Sequence, residues 1–413
     1  MIVLFSSLII IPKIRSANDT SRMATIQAIV EFNTFSIDST KFTSTNDKVF
    51  INGKFYSDKP PFPSVLGAVI YFPLYHLGFK LDYEWNTAYF LITLLTVKLF
   101  FLISIFCFYK LLILVNFQGN KILLTSFAAF GSIYFSWSST FNNHILAGSF
   151  LMIGLFYWIK ATQNILSDSK YLFLSGLYFL LAGISDIPIL LFFCGFLFLL
   201  FFQKLQWKNI LIFILPLLLT LLPYLLHNYL ISGSIKPFQI EKHFFDYPNS
   251  IWIKNNALSG IEQNSTQFVL TNALRLLLGS KGFLIYSPIT FISIWTIIFY
   301  RKKFKNIGRE IRISLICSWL IFVYYSFYSN NLSGGSYSIR WFVPFLPMII
   351  FFSFPFFEEM KEIKNRIIKL LLVLSIIIST VGIINPWSKT YYSENSFVAN
   401  IINAIHYYKW LKR

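Results

Sequence analysis

The stretch LLTVKLFFLISIFCFYKLLILV, inside residues 86–115, is apolar over a length sufficient to cross a bilayer, and runs of the same kind recur down the chain. A bilayer core offers no water, so a segment that crosses it must pair its own backbone N–H and C=O groups, normally as a helix. Spans are expected near 1–12, 86–115, 122–140, 145–159, 171–185, 187–203, 209–226, 282–300, 311–328, 341–357 and 367–386, about eleven in all. The fold class is therefore an all-α polytopic membrane protein. Only 13% of the residues are charged and 56% are hydrophobic, against about 25% charged in a typical soluble domain.

Lys and Arg outnumber Asp and Glu by 35 to 17. They punctuate apolar runs instead of forming one basic stripe, the pattern of positive-inside sorting and headgroup contact, so nucleic acid is excluded as a partner. Cys107, Cys194 and Cys317 lie singly in apolar stretches and read as small buried hydrophobes. The opening MIVLFSSLIII is short for a span and has neither a basic start nor a small-residue cleavage site. It is read as a first span with a clipped start.

Short-loop basic residues set the expected orientation. YRKKFKNIGREIR (300–312), KEIKNRIIK (361–369), FQKLQWKN (202–209), Lys160 with Lys170, and Lys121 fall on one side if the spans alternate. The amino terminus is then cytoplasmic. Residues 13–85, 141–144, Asp186, 227–281, 329–340 and the tail after Pro386 share the opposite face. FPSVLGAVIYFPLYHLGF (62–79) carries two prolines, and counting it as a span would invert every later loop. It is placed as an interfacial helix. The chain divides into a transmembrane domain, 1–386, with a long first outer loop at 13–85 and a second at 227–281, and a short outer tail, 387–413, with an interfacial helix.

Two segments of the first loop carry chemistry. In SANDTSRMATIQAIVEFN (16–33), Met23, Ile26 and Val30 recur at helical spacing and would face lipid, with Asn18, Asp19 or Thr20 capping the start. Asp19 reads either as that cap or as a carboxylate held at the membrane surface to act as a general base. In DKVFINGKFYSDKPPFPS (47–64), FINGKFY reads as a hairpin turning at Asn-Gly. SDKPP then sets Lys59 at headgroup depth, as a phosphate ligand or as a snorkelling lysine.

An Asp and an Arg three apart after the first span, a helix-like run, NGKFYSDKPP and an apolar interfacial helix together resemble the first outer loop of the GT-C membrane glycosyltransferases. The likeness is to the family 39-like branch that holds protein O-mannosyltransferases and the lipid A aminoarabinose transferase. LLGSKGFLIYSP (277–288) and NLSGGSYSIRWFVPFLP (331–347) look like later outer-loop segments of bacterial relatives. The resemblance implies transfer of a hexosyl or pentosyl sugar from a polyprenyl-phosphate carrier to a protein, lipid or glycan acceptor on the extracytoplasmic face. It implies Asp19 as the base and Lys59 as a donor-phosphate ligand, with inversion at the anomeric carbon.

Relatives often carry a second acid in the next short outer loop. Here that loop is SSTFNNHIL (138–146), with Asn142, Asn143 and His144 and no acid. A two-carboxylate metal site is thus disfavoured, and no cofactor or metal is expected. Arg22, Asn143 and His144 are candidates for acceptor contact or proton relay, and His144 reads equally as a polar helix end. Arg340 and Lys281, each near glycines, are further candidates for the donor phosphate. Asp186 before Pro188 reads as an acceptor-side contact or, in preference, a helix boundary, and His227 and Asn228 have similar standing. The competing functional classes are a transporter or flippase of a lipid-linked saccharide and a non-catalytic glycan-assembly protein. Lys-, Asn-, Ile- and Phe-rich usage suggests an AT-rich bacterial genome, and the expected location is the bacterial plasma membrane.

Overall fold

The computed structural model describes residues 9–163, 169–202, 207–254, 266–304, 307–329, 331–360, 366–390 and 394–411. Helix α1 (Ala17–Phe32) leads into a hairpin of β1 (Lys48–Ile51) and β2 (Lys54–Ser57), then α2 (Pro61–His76). The bundle follows as α3 (Thr87–Leu114), α4 (Lys121–Phe130), α5 (Asn143–Gln163), α6 (Ser169–Ser185) and α7 (Leu190–Phe202). It continues with α8 (Trp207–Ser232), α9 (Phe268–Tyr286), α10 (Ile289–Phe299), α11 (Gly308–Tyr328), α12 (Arg340–Glu359) and α13 (Arg366–Ile384). Helix α14 (Ser396–Leu411) closes the described chain and packs on α13.

Seven of these helices (α3, α5, α8, α9, α11, α12 and α13) are long and apolar enough to cross a membrane, and four shorter apolar helices accompany them. The protein is an integral membrane protein. Two expected spans and one expected loop differ from the sequence reading. Most of 1–12 lies outside the described residues, and Ile11 within it runs as extended chain whose N–H donates to the Ser139 carbonyl at 3.1 Å. The 122–140 run breaks after Phe130, where Ser132 accepts from the Tyr134 N–H and starts a separate turn. The segment before Lys281, expected as loop, is helical in α9, which packs on α11.

Apolar segments in lipid gain nothing from hydrophobicity alone, so packing depends on close fit. The centre of the bundle is α5, wedged between α3 and α6 and also against the start of α12. Helix α6 meets α8 where Gly176 lies against the Phe213 carbonyl, leaving no room for a side chain. Helix α3 is capped by the Asn86 side chain, which accepts from the Tyr89 N–H at 2.8 Å, and it loosens into a π turn at Leu94–Lys98.

The first loop folds as a layer over one end of this bundle. Asn52 and Gly53, with φ of 51° and 81°, form the tight turn of the hairpin, as the Asn-Gly pair requires. Helix α2 begins at the Pro pair, packs Gly67, Ala68 and Tyr71 towards the core and leaves Val69, Phe72 and the following Leu77 exposed. Helix α1 differs from expectation. Its Met23 and Ile26 are fully buried in the core and face protein, not lipid. Its cap is Ser16, whose hydroxyl accepts from the Asp19 N–H at 3.0 Å, so none of Asn18, Asp19 and Thr20 plays that part.

The loops sort into the two sets that the basic residues suggested. Contacts tie residue 19 to 140 and 387, 144 to 186, and 281 to 334 and 390 at one end. Gln118 meets Glu358, Trp158 meets Glu310 and Lys303 meets Glu359 at the other.

Candidate active site

Beneath the first-loop layer lies a cavity of about 520 Å³, walled by α1, the segment before α2, the ends of α5, α6 and α11, and the start of α12. Its polar side carries Arg22, Asp58, Lys59, Asn143, His144, Asp186 and Arg340. Its apolar side runs past Leu191, Ile321 and Trp341 to Leu320 and Tyr324, each 40% exposed on the outside of α11. The cavity therefore joins a charged chamber to the lipid-facing surface.

Three cations face this chamber, and they differ in what already holds them. Arg22 is buried on α1; its Nη2 donates to Asn143 Oδ1 at 2.6 Å and its Nη1 donates to the Asn18 carbonyl at 3.1 Å and to the Asn18 side chain. Burial pulls its guanidinium down to about 10, partly offset by the charge of Asp19. Lys59 is paired twice, to Asp58 Oδ2 at 2.8 Å and Asp47 Oδ2 at 2.9 Å. Burial raises the Asp58 carboxyl against the pull of Lys59. Arg340 has no acceptor for its guanidinium among the described residues; it lies 4.9 Å over the Trp387 ring and its Nε is buried without a partner. Asp47, Asp186 and Asp19 act on it only through their charge, so its guanidinium is left to donate into the cavity.

On the same cavity wall, His144 Nδ1 and Asp186 Oδ2 are 2.6 Å apart. His144 stands in the first turn of α5, at the helix end, but it is not the cap. Asn142 takes that part, accepting from the Ile145 N–H at 2.9 Å, which leaves the imidazole for the cavity. Asp186, read from sequence as a boundary, does start the turn Ile187–Ile189, and it also lines the cavity. It is the sole acid between Asp168 and Glu241, and that isolation was the available signal. Asp47 gave no signal; only the fold brings it to Lys59.

Two expected site residues lie elsewhere. Asp19 is 0% exposed and stands behind the cavity wall. Its Oδ1 accepts from the Trp387 indole at 3.0 Å and its Oδ2 from Thr140 at 3.2 Å and Tyr89 at 3.5 Å. Desolvation pushes its carboxyl up to about 7 in spite of Arg22 and these donors. Lys281, expected on a phosphate, is buried away from the cavity and donates to the carbonyls of Gly334 and Thr390 at 2.5 and 2.8 Å. It braces the loop before α12 against the tail. His227 and Asn228 are also outside the cavity, with His227 packed on Phe35 at a ring separation of 4.6 Å.

No protein-family profile matches the sequence, and no curated protein matches it either. Solved structures do match. ArnT from Cupriavidus metallidurans, bound to undecaprenyl phosphate, superposes with a TM-score of 0.56 at 13% identity, covering 94% of this chain and 69% of that one. The archaeal oligosaccharyltransferase AglB from Archaeoglobus fulgidus, in complex with an inhibitory peptide and a dolichol-phosphate, gives 0.50 at 14% identity, covering 92% and 55%. An Archaeoglobus fulgidus oligosaccharyltransferase tethered with an acceptor peptide gives 0.51 at 14% identity, covering 97% and 54%, so the chain spans about half of its length. The fold is that of the GT-C membrane enzymes.

Proposed function

We propose that the protein is a membrane glycosyltransferase that moves a sugar from a polyprenyl-phosphate carrier to an acceptor, with inversion, on the extracytoplasmic face. The observation that carries this reading is the guanidinium of Arg340, without a hydrogen-bond acceptor among the described residues, at the charged end of a cavity whose other end opens between exposed Leu320 and Tyr324. A phosphate at the charged end would be bound by Arg340 and Arg22, and an isoprenoid tail would leave along α11. The two solved neighbours with bound polyprenyl phosphates support that ligand class. Donors placed on a leaving phosphate stabilise the charge that develops as the glycosidic bond breaks, which is where such a site gains most of its rate.

Lys59 enters as a bridge. Its ammonium sits between Asp47 and Asp58, a position a divalent cation would otherwise fill, and this supports metal-independent transfer. Asp19, with both oxygens occupied behind Trp387, supports Arg22 through its charge and does not meet the acceptor. The cavity's charges gather at one end of the bundle, which favours transfer at an interface over transport through it.

The test is transfer of label from radiolabelled polyprenyl-phosphate sugars in membranes holding matched amounts of wild type, Arg340→Ala or Lys59→Ala, with and without EDTA. The reading expects EDTA-resistant transfer by wild type and a donor KM raised by about 10- to 100-fold in Arg340→Ala, the loss of one charged hydrogen-bond set. Unchanged donor KM in Arg340→Ala would overturn the phosphate site.

A further inference from the structure

Once Asp19 is seen behind the wall, the cavity needs another group to accept the acceptor's proton. Asp47 and Asp58 are both spent on Lys59. Arg22 and Arg340 are cations and accept nothing. What remains on the cavity wall is the imidazole of His144, at the start of α5, and the carboxylate of Asp186, whose Oδ2 is already engaged by that imidazole. Resting on the functional reading above, we infer that His144, oriented by Asp186, is the general base that deprotonates an acceptor hydroxyl.

The geometry supports this in three ways. First, Asp186 Oδ2 at 2.6 Å from Nδ1 holds the imidazole with its proton on Nδ1. That leaves Nε2 as the basic atom, and Nε2 has no partner among the described residues. A carboxylate in this position both selects the tautomer and stabilises the imidazolium that forms. Second, the ring is kept in place from the other side by Trp137, edge-on at 6.5 Å. Third, the adjacent Asn143 accepts from Arg22 Nη2 at 2.6 Å. One short turn of chain thus sets the base and a phosphate-binding cation in a fixed relation, which the reaction requires of groups acting on the two ends of one displacement.

A purely structural pair tying α5 to α6 is the competing account. These helices already pack along their lengths, and a buried polar pair adds little stability that apolar side chains could not supply. A structural pair also has no need of a place on the cavity wall.

The step balances as follows. The acceptor O–H bond breaks and its proton goes to His144 Nε2. The acceptor oxygen bonds the anomeric carbon from the side away from the phosphate. The bond from that carbon to the phosphate oxygen breaks, its electron pair leaving with the polyprenyl phosphate that Arg340 and Arg22 hold. Asp186 is a positioning residue; His144 is the catalytic one.

The experiment compares full-length wild type, His144→Gln, His144→Ala, Asp186→Asn and Asp186→Glu in membranes, with labelled polyprenyl-phosphate sugars as donor. Binding of unglycosylated polyprenyl phosphate to each purified protein is measured alongside. His144→Gln is expected to lower kcat by about 10²- to 10⁴-fold, the range for loss of a general base, with carrier binding and donor KM unchanged. Added imidazole should restore part of the rate of His144→Ala and none of the rate of His144→Gln. Asp186→Asn should lower kcat less than His144→Gln does, and Asp186→Glu should regain part of that loss. Wild-type kcat in His144→Gln, or a fall in rate matched by a fall in carrier binding with no imidazole rescue, overturns the inference while leaving the transferase reading in place. A wild-type protein that neither binds the carrier nor transfers sugar overturns the transferase reading and the inference together.

Discussion

Asp19 and Asp186 stand at the same end of one helical bundle and have opposite surroundings. Asp19 sits in the first turn of α1, under the indole of Trp387 and the hydroxyls of Thr140 and Tyr89, with no exposed surface. Asp186 sits where α6 stops, on the cavity wall, with His144 as its partner. Trp387 is the partition between them: its indole N–H serves Asp19 while its ring lies beneath the Arg340 guanidinium. The comparison teaches that an acid's place in a motif and its access to substrate are separate properties. The first is set by local sequence, the second by which distant segment closes over it.

The comparison can be broken at several points. The largest effect is expected on the cavity side, where Arg340→Leu should weaken retention of polyprenyl phosphate by roughly 100-fold, since a charged hydrogen-bond set is lost with no substitute. Native mass spectrometry of the protein in nanodiscs would read it. An unchanged bound fraction would remove Arg340 from the site. Next in size is a stability effect confined to the wall. Lys281→Met removes the donor of the Thr390 carbonyl and one of the two donors of the Gly334 carbonyl, which keeps the Ser336 N–H, and costs roughly 1–3 kcal/mol. Thermal unfolding should fall while carrier affinity stays within about twofold, and a large drop in affinity at unchanged Tm would return Lys281 to the phosphate.

A subtler effect concerns pH. Because burial raises the Asp19 carboxyl from 3.8 to about 7 in the folded protein, the folded state holds that proton more tightly than the unfolded one. The resulting stability is full below about pH 4 and is lost as pH rises through about 7, on the order of 4 kcal/mol in total at about 1.4 kcal/mol per unit. Asp19→Asn should therefore flatten the fall in Tm between pH 5 and 7. A slope equal to that of wild type would mean that another group carries it.

Much of the architecture was legible because membrane spans announce themselves in runs of one chemistry. The hairpin at Asn52–Gly53 and the start of the helix after Pro60 were legible for the same local reason: turn residues and prolines act on their own neighbours. What stayed hidden depends on contacts across long stretches of chain. Met23 and Ile26 look like a lipid-facing stripe until α2 is packed over them. Lys281 beside glycines looks like a phosphate ligand until the carbonyls of 334 and 390 reach it. The missing acid of the 138–146 loop was noticed, but its counterpart is supplied 42 residues after His144, by an acid that looked like a helix end. Trp387, which seals Asp19, lies 368 residues away from it and carries no mark of that role in its own sequence.

The most direct test of the account is the rate of sugar transfer by Asp19→Asn in membranes with matched expression, measured at saturating polyprenyl-phosphate donor. With the reacting groups on the cavity wall, the variant should keep its rate within about tenfold of wild type, the change a weakened field on Arg22 would bring through about 1 kcal/mol. Complete loss of transfer with carrier binding retained would contradict the account and make Asp19 the base.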